Sequence, residues 1–375
     1  MKLPARRILF ALLLVCIYIL WHPEPTREEL VVDAVWAIRP ESAQVDGPDP
    51  VADAVFPIRV ADSFAYVDAN GRVVSTGRVA HDVALAADAF VNYGRLPGQL
   101  VVQSPAGEFL ASVPLSGYPV FEHDRLFVLS SGGGTLSEWT RSGAERWRIE
   151  LAAPLTAIAA SAGPTGLGLA AGGPVVLDEA GEPIDLQRVS AAVEPTVYAV
   201  DVSDDPDRFA VIAGARAEAP DGQDALPATV TLYELAEGRG VPVVRRSIAR
   251  TGGSAPVVRL FDAGQTLAYT TWSDAPEFVV LDVDSGDESR IELRHPAVDA
   301  VETGSPRLTA VLTVGARRDA ARGFARTAEL VLASPAGSVP VRAEWASDAT
   351  AIAVHADLLT VRVDDRVLGV RLGVR

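Results

Sequence analysis

Leu155-Thr156-Ala157-Ile158-Ala159, Leu167-Gly168-Leu169-Ala170-Ala171, Val175-Val176-Leu177-Asp178 and Pro183-Ile184-Asp185-Leu186 decide the fold. Each is a short run of strand-forming or small residues. Ala162-Gly163-Pro164-Thr165-Gly166, Gly172-Gly173-Pro174 and Glu179-Ala180-Gly181 separate them. Glycine and proline at those points specify tight turns, so residues 154–187 read as one four-stranded antiparallel meander. A sheet this thin cannot cover both its faces. It needs copies of itself alongside.

Further copies follow the same grammar, a strand and then a four- or five-residue turn ending in glycine. Asp68-Ala69-Asn70-Gly71, Ser104-Pro105-Ala106-Gly107, Thr140-Arg141-Ser142-Gly143 and Asp178-Glu179-Ala180-Gly181 recur first. Leu235 to Gly238, Asp282 to Gly286 and Ser334 to Gly337 continue the series. The glycines are spaced by 36, 36, 38, 57, 48 and 51 residues, the range of one propeller blade with inserted loops. Phe209 to Arg216 is echoed by Leu308 to Arg317, each followed by a polar loop and a strand.

These units resemble the blades of WD40-like and PQQ-type (quinoprotein-like) β-propellers. Leu136 to Trp147 keeps the Ser142-Gly143 and Trp147 of the PQQ-type repeat but has Trp139 in place of its Asp. Val280 to Gly286 keeps Asp282 and Ser285-Gly286 but lacks the Trp. The resemblance covers about 320 residues and implies an all-β propeller of about seven four-stranded blades, with eight possible. Six units are counted between Ala80 and Trp345. A seventh is expected from both chain ends, Ala351 to His355 and Leu358 to Val363 pairing near Phe64 to Val67 and Arg72 to Val74. Val367 to Leu372 is a further strand-like piece that would make an eighth.

The N-terminus has a different character. Lys2, Arg6 and Arg7 precede an apolar run from Ile8 to Trp21. This is the pattern of a signal anchor with its positive flank in the cytoplasm. Cleaved-signal and lipoprotein readings stand beside it, the latter because Cys16 lies in the run. Three domains are expected: an anchor over 1–25, a juxtamembrane helix and linker over 26–50, and the propeller over 51–375. Thr26-Arg27-Glu28-Glu29 has the form of a capping box, and Leu30, Val31, Ala34, Val35 and Ile38 recur at helical spacing. Glu41 to Pro50 is a polar linker.

Composition narrows the function. The net charge is −16, and residues 1–25 contribute +2 (Lys2, Arg6 and Arg7 against Glu24), leaving −18 for the rest. Non-specific binding to nucleic acid needs a basic footprint that this chain lacks. Cys16 is the one cysteine, so no disulfide forms within the chain. PQQ-dependent relatives use a cysteine pair at the central funnel, so no cofactor is expected. No metal spacing joins His22, His81, His123, His295 and His355. Gly132-Gly133-Gly134 reads as a hairpin, not a phosphate loop. Trp139, Trp147, Trp272 and Trp345 read as packing between blades.

The candidate site is the loop from Arg317 to Arg326, with Arg317, Arg318, Arg322, Phe324 and Arg326 as a basic, aromatic-bearing patch on an acidic protein. It suits an acidic partner or phospholipid headgroups. Arg216 to Ala228 is a second long loop. The expectation is a membrane-anchored, outward-facing, non-enzymatic scaffold for protein partners in the cell envelope, on the periplasmic side of the inner membrane in a bacterium. The alternatives are a small-molecule or glycan-binding propeller, and a hydrolase or lyase working in the central funnel.

Overall fold

The computed structural model describes residues 30–40, 55–95, 97–187, 195–203, 208–214, 228–248, 256–271, 273, 275–303, 308–319, 323–334, 337–345, 349–355 and 358–374. Residues 1–29, which hold the apolar run, and the linker residues 41–50 lie outside this set. The described residues are all-β, apart from short 3-10 turns such as Asp262–Gly264.

Strand β1 (Leu30–Ile38) comes first. Blade two holds β2 (Val55–Val60), β3 (Ser63–Asp68) and β4 (Val73–Arg78). Blade three holds β5 (Asp82–Leu85), β6 (Phe90–Tyr93), β7 (Leu100–Gln103) and β8 (Phe109–Val113). Blade four holds β9 (Gly117–Glu122), β10 (Arg125–Ser130), β11 (Thr135–Trp139) and β12 (Glu145–Glu150). Blade five is the meander first read in the sequence: β13 (Leu155–Ala160), β14 (Thr165–Leu169), β15 (Pro174–Leu177) and β16 (Pro183–Leu186). Blade six holds β17 (Thr196–Val202), β18 (Arg208–Gly214), β19 (Ala228–Ala236) and β20 (Arg239–Ile248). Blade seven holds β21 (Val258–Phe261), β22 (Thr266–Thr270), β23 (Glu277–Asp282) and β24 (Glu288–Glu292). Blade eight holds β25 (Ala297–Glu302), β26 (Thr309–Asp319), β27 (Gly323–Ala333) and β28 (Val341–Trp345). The chain ends on β29 (Ala349–His355), β30 (Leu358–Val363) and β31 (Arg366–Val374), which join β1 to make blade one.

The strand order makes eight blades, not seven, and six of them lie between Ala80 and Trp345 as counted from the sequence. Blades five and six share a sheet, because β16 pairs in parallel with β20. Eight buried clusters sit between the blades, one at each junction. Ile38, Leu358 and Val367 meet Phe56 and Ile58 between blades one and two. Leu330 and Leu332 meet Leu359 and Val361 between blades eight and one. The ring is therefore complete, and every blade buries both of its faces.

Closure differs from the sequence expectation. β31 pairs antiparallel with β1, from Leu30↔Val374 to Ile38↔Val367. Phe64 to Val67 pair instead with residues 73–77 inside blade two, from Phe64↔Gly77 to Val67↔Val73. The helix expected over Leu30 to Ile38 is a strand, so the propeller includes residues expected to form a juxtamembrane helix. The physical reason is visible in the residues. Val31, Val32, Val35, Trp36 and Ile38 are β-branched or aromatic, and the far end alternates in burial: Ile38 is buried and Trp36 half-buried, while Val35 and Ala37 are exposed. The strand also completes an edge that would otherwise leave backbone groups unpaired.

The repeating glycines have a shared task. Gly71, Gly107, Gly143, Gly181, Gly238, Gly286 and Gly337 all have positive φ, between 73° and 83°. At Gly181 the turn also lies against the indole of Trp147, on the outer strand of the preceding blade. Gly71 meets Trp36 in the same way. Trp139 and Trp147 are buried between blades, and Trp345 packs at the junction of blades eight and one, as expected. Trp272 lies outside the described residues. Gly181→Ala is expected to lose stability, since the left-handed backbone alone is unfavourable by roughly 1–3 kcal/mol for a side chain, and the added methyl overlaps Trp147. Urea unfolding measures it, and an unchanged midpoint would refute this packing.

Candidate functional site

Two places gather chemistry. The first is the segment singled out from the sequence. It is not a loop. β26 and β27 pair over eleven positions, from Thr309↔Ala333 to Asp319↔Gly323. Their neighbours stop short: β25 reaches only Thr313, and β28 only Ala328. Gly315–Asp319 and Gly323–Thr327 thus form a two-stranded arm beyond the body of the blade. The paired strands satisfy each other's backbone groups, which an open loop would leave to water.

The register places Arg317 opposite Ala325, Arg318 opposite Phe324 and Ala316 opposite Arg326. Arg326 is exposed, and Arg322 lies outside the described residues. At the root, Thr327 Oγ1 lies 3.1 Å from His295 Nε2. The His295 ring occupies the space a Cβ on Gly315 would take. His295 therefore buttresses the arm. Of the other long loop, Arg216 to Ala228, residues 216–227 lie outside the described set and Ala228 opens β19.

The second place was missed by the sequence reading. The first strands of the blades line the axis of the ring, packing β9 on β13, β13 on β17, β17 on β21 and β21 on β25. Glu122, Asp201, Arg259 and Asp299 come from four of these strands. Arg259 Nη2 donates to Asp299 Oδ1 at 2.9 Å, and its Nε donates to Ala300 O at 3.1 Å. The backbone N–H of Leu260 donates to Asp201 Oδ2 at 2.6 Å. Glu122 interacts electrostatically with Arg259, Asp201 and Asp299, although blades four and eight stand on opposite sides of the ring. Arg259 and Asp299 thus form a hydrogen-bonded pair at the axis, with Asp201 on the neighbouring backbone and Glu122 near enough to feel all three charges.

Burial pushes the Glu122 carboxyl up to about 7, Arg259 opposes the rise, and Asp201 and Asp299 add to it. Burial also works against the charge of Arg259, but Asp201 and Asp299 outweigh it, and the guanidinium is held more firmly protonated than usual. A carboxyl that titrates near neutrality can hold or release a proton under ordinary conditions. The folded protein keeps a proton on Glu122 that the unfolded chain has already lost above pH 4.5. Stability from this group is therefore fully present below pH 4.5 and falls as pH rises to about 7. The total is on the order of 3 kcal/mol at 1.36 kcal/mol per pKa unit. Glu122→Gln is expected to flatten the stability profile between those limits. Urea titrations at several pH values test this, and an unchanged slope would count against it.

His123 and Asp124 have positive φ and form the turn between β9 and β10. Gly132 to Gly134 join β10 to β11, as read. Asp82 accepts from Tyr93 Oη at 3.1 Å and pairs with Arg59, while His81 is exposed. Among the described residues, no group of three or more His, Cys, Asp or Glu is arranged to hold a metal. No described helix is long and apolar enough to cross a membrane. A cavity of about 410 Å³ lies at the shared sheet of blades five and six, where Asp178, Glu179, Leu235, Glu237 and Arg239 line it.

A closed ring of radially arranged antiparallel sheets defines a β-propeller. Residues 4–218, more than half of the chain, match a family model described as beta-propeller protein, and the chain belongs to that family. An uncharacterized protein of Treponema pallidum (strain Nichols) is 34% identical over 134 residues, which is 36% of this chain and 35% of that one. The chain thus matches about a third of that relative's length. Among solved structures, BamB from Moraxella catarrhalis is similar at a TM-score of 0.57 and 16% identity, over 91% of this chain and 100% of that one. The Dos1 propeller is similar at 0.54 and 11% identity, over 91% and 95%. These two likenesses concern the fold alone.

Proposed function

We propose that this chain is a membrane-anchored, extracytoplasmic propeller that serves as a non-enzymatic interaction scaffold, with the arm of blade eight as its contact for a protein partner. The observation that carries the proposal is the arm itself. Two strands continue past their blade and carry Arg317, Arg318 and Phe324 in paired register, with Arg326 exposed. Residues 317–326 hold four arginines and one aspartate, on a chain of net charge −16. A basic projection on an acidic rigid body favours docking of an acidic surface. The anchor part rests on the sequence. The family match begins at residue 4 and so includes the apolar run from Ile8 to Trp21.

A photo-crosslinker at Arg326 in intact cells tests the reading. It is expected to capture a defined protein that is lost when Arg317, Arg318 and Arg322 are all changed to serine. The same capture with and without those arginines would refute it. The axial group supports a second reading, a site for a small ligand or a hydrolytic reaction in the funnel. Glu122, titrating about neutrality beside Arg259, is the observation that favours it. Under that reading Glu122→Gln removes the activity and the arm substitutions leave it intact.

A further inference from the structure

We infer that the arm projects from the face of the propeller opposite the one where the anchor enters, so that its partner is an acidic protein surface in the outer compartment and not the headgroups of the anchoring bilayer. This rests on the proposed anchor at residues 8–21.

The strand directions carry the inference. In an antiparallel four-stranded blade, first and third strands run toward one face of the disc, and second and fourth strands toward the other. The glycine turns that join third to fourth strands, at Gly107, Gly143, Gly181, Gly238, Gly286 and Gly337, therefore share one face. β1 is the fourth strand of blade one. Its first residue, Leu30, lies opposite Val374 at the end of the third strand, β31. The chain enters the propeller on the glycine-turn face. The arm joins the second strand of blade eight to the third, so it leaves from the other face.

Lengths make the separation matter. His22 to Glu29 is eight residues, which reach at most about 29 Å. A six-residue strand crosses the disc in about 20 Å, and the five residues Gly315–Asp319 add about 16 Å at ~3.3 Å per residue. The tip therefore stands roughly 35 Å beyond the turn face. That face also carries Asp178, Glu179, Asp282 and Asp284, which repel anionic headgroups and keep the disc off the surface. A protein with the arm turned to the bilayer would have to invert on a short tether.

The test uses the full chain in a Cys16→Ser background, reconstituted in phosphatidylcholine vesicles with a fluorescent acceptor on the headgroups. Ala106→Cys places a donor dye on the turn face, and Asp319→Cys places one near the arm tip. Energy transfer from the turn-face dye is expected to exceed that from the arm dye by at least twofold. Adding 30% phosphatidylglycerol is expected to leave the arm signal unchanged. Equal or greater transfer from the arm, or a rise on adding the anionic lipid, would overturn the inference. A chain that does not float with the vesicles at all overturns the anchor reading, and this inference with it.

Discussion

Arg125→Met is expected to lower the unfolding free energy by about 3–5 kcal/mol, the usual effect of removing one partner from a buried ion pair. Arg125 and Glu138 are 9% and 1% exposed. The guanidinium donates twice to Glu138, Nε to Oε1 at 3.1 Å and Nη2 to Oε2 at 2.5 Å. Its Nη1 lies at 3.1 Å from Ser161 O, 2.8 Å from Gly163 O and 3.3 Å from Pro164 O, in the next blade. One side chain thus fastens blade four to blade five and satisfies carbonyls that a methionine cannot. Glu138 would keep only Arg146, which is 54% exposed and correspondingly screened. Arg125→Met combined with Glu138→Leu is expected to recover part of the loss, because no unpaired charge then remains buried. Urea denaturation of the two variants measures both effects. A shift below about 0.5 kcal/mol for Arg125→Met, the range of ordinary surface substitutions, would show that the pair does not hold the junction.

The second large effect concerns the closing strand. A chain beginning at residue 30 is expected to unfold at the same temperature as the full chain, while one beginning at residue 39 loses the cooperative transition or aggregates. Removing Leu30–Ile38 uncovers the whole length of β31. It also takes Ile38 and Trp36 out of the first junction, where Trp36 stacks on Phe56 at 6.0 Å between centroids. An uncovered hydrophobic strand edge invites pairing with other molecules. Trp36→Ala is the milder version, expected to destabilise by about 3 kcal/mol, the low end for losing a large aromatic from a packed site. Calorimetry of the two shortened chains decides the point. A sharp transition in the chain that starts at residue 39 would refute the role given to β1.

Much of the fold was legible because it is built from local signals repeated many times. The meander at 154–187 and the seven turn glycines each have a physical cause within a few residues, and the structure keeps them all. What went unread depends on distant partners. Leu30 to Ile38 satisfies a helical spacing and a strand propensity at once, and only β31, more than three hundred residues later, selects the strand. The arm was marked by its arginines, but its pairing was not. Strands that continue past their neighbours leave no trace in a reading that expects every strand to stop with its blade. The axial group was hidden for another reason. Glu122, Asp201, Arg259 and Asp299 are isolated in sequence and meet only because the ring brings four first strands to a common axis. Asp201 and Asp299 do not even share a register, since Asp201 lies opposite Ala210 and Asp299 directly follows the bulge opposite Leu312, so no repeat in the sequence marked them.

Cross-linking of the two chain ends tests the closed ring most directly. Ala37 and Leu368 are register partners in β1 and β31. With Ala37→Cys and Leu368→Cys in a Cys16→Ser background, mild oxidation is expected to join them within one molecule, and digestion is expected to release one peptide containing both. Failure to join, or joining only between molecules, would contradict a ring closed by its own first strand.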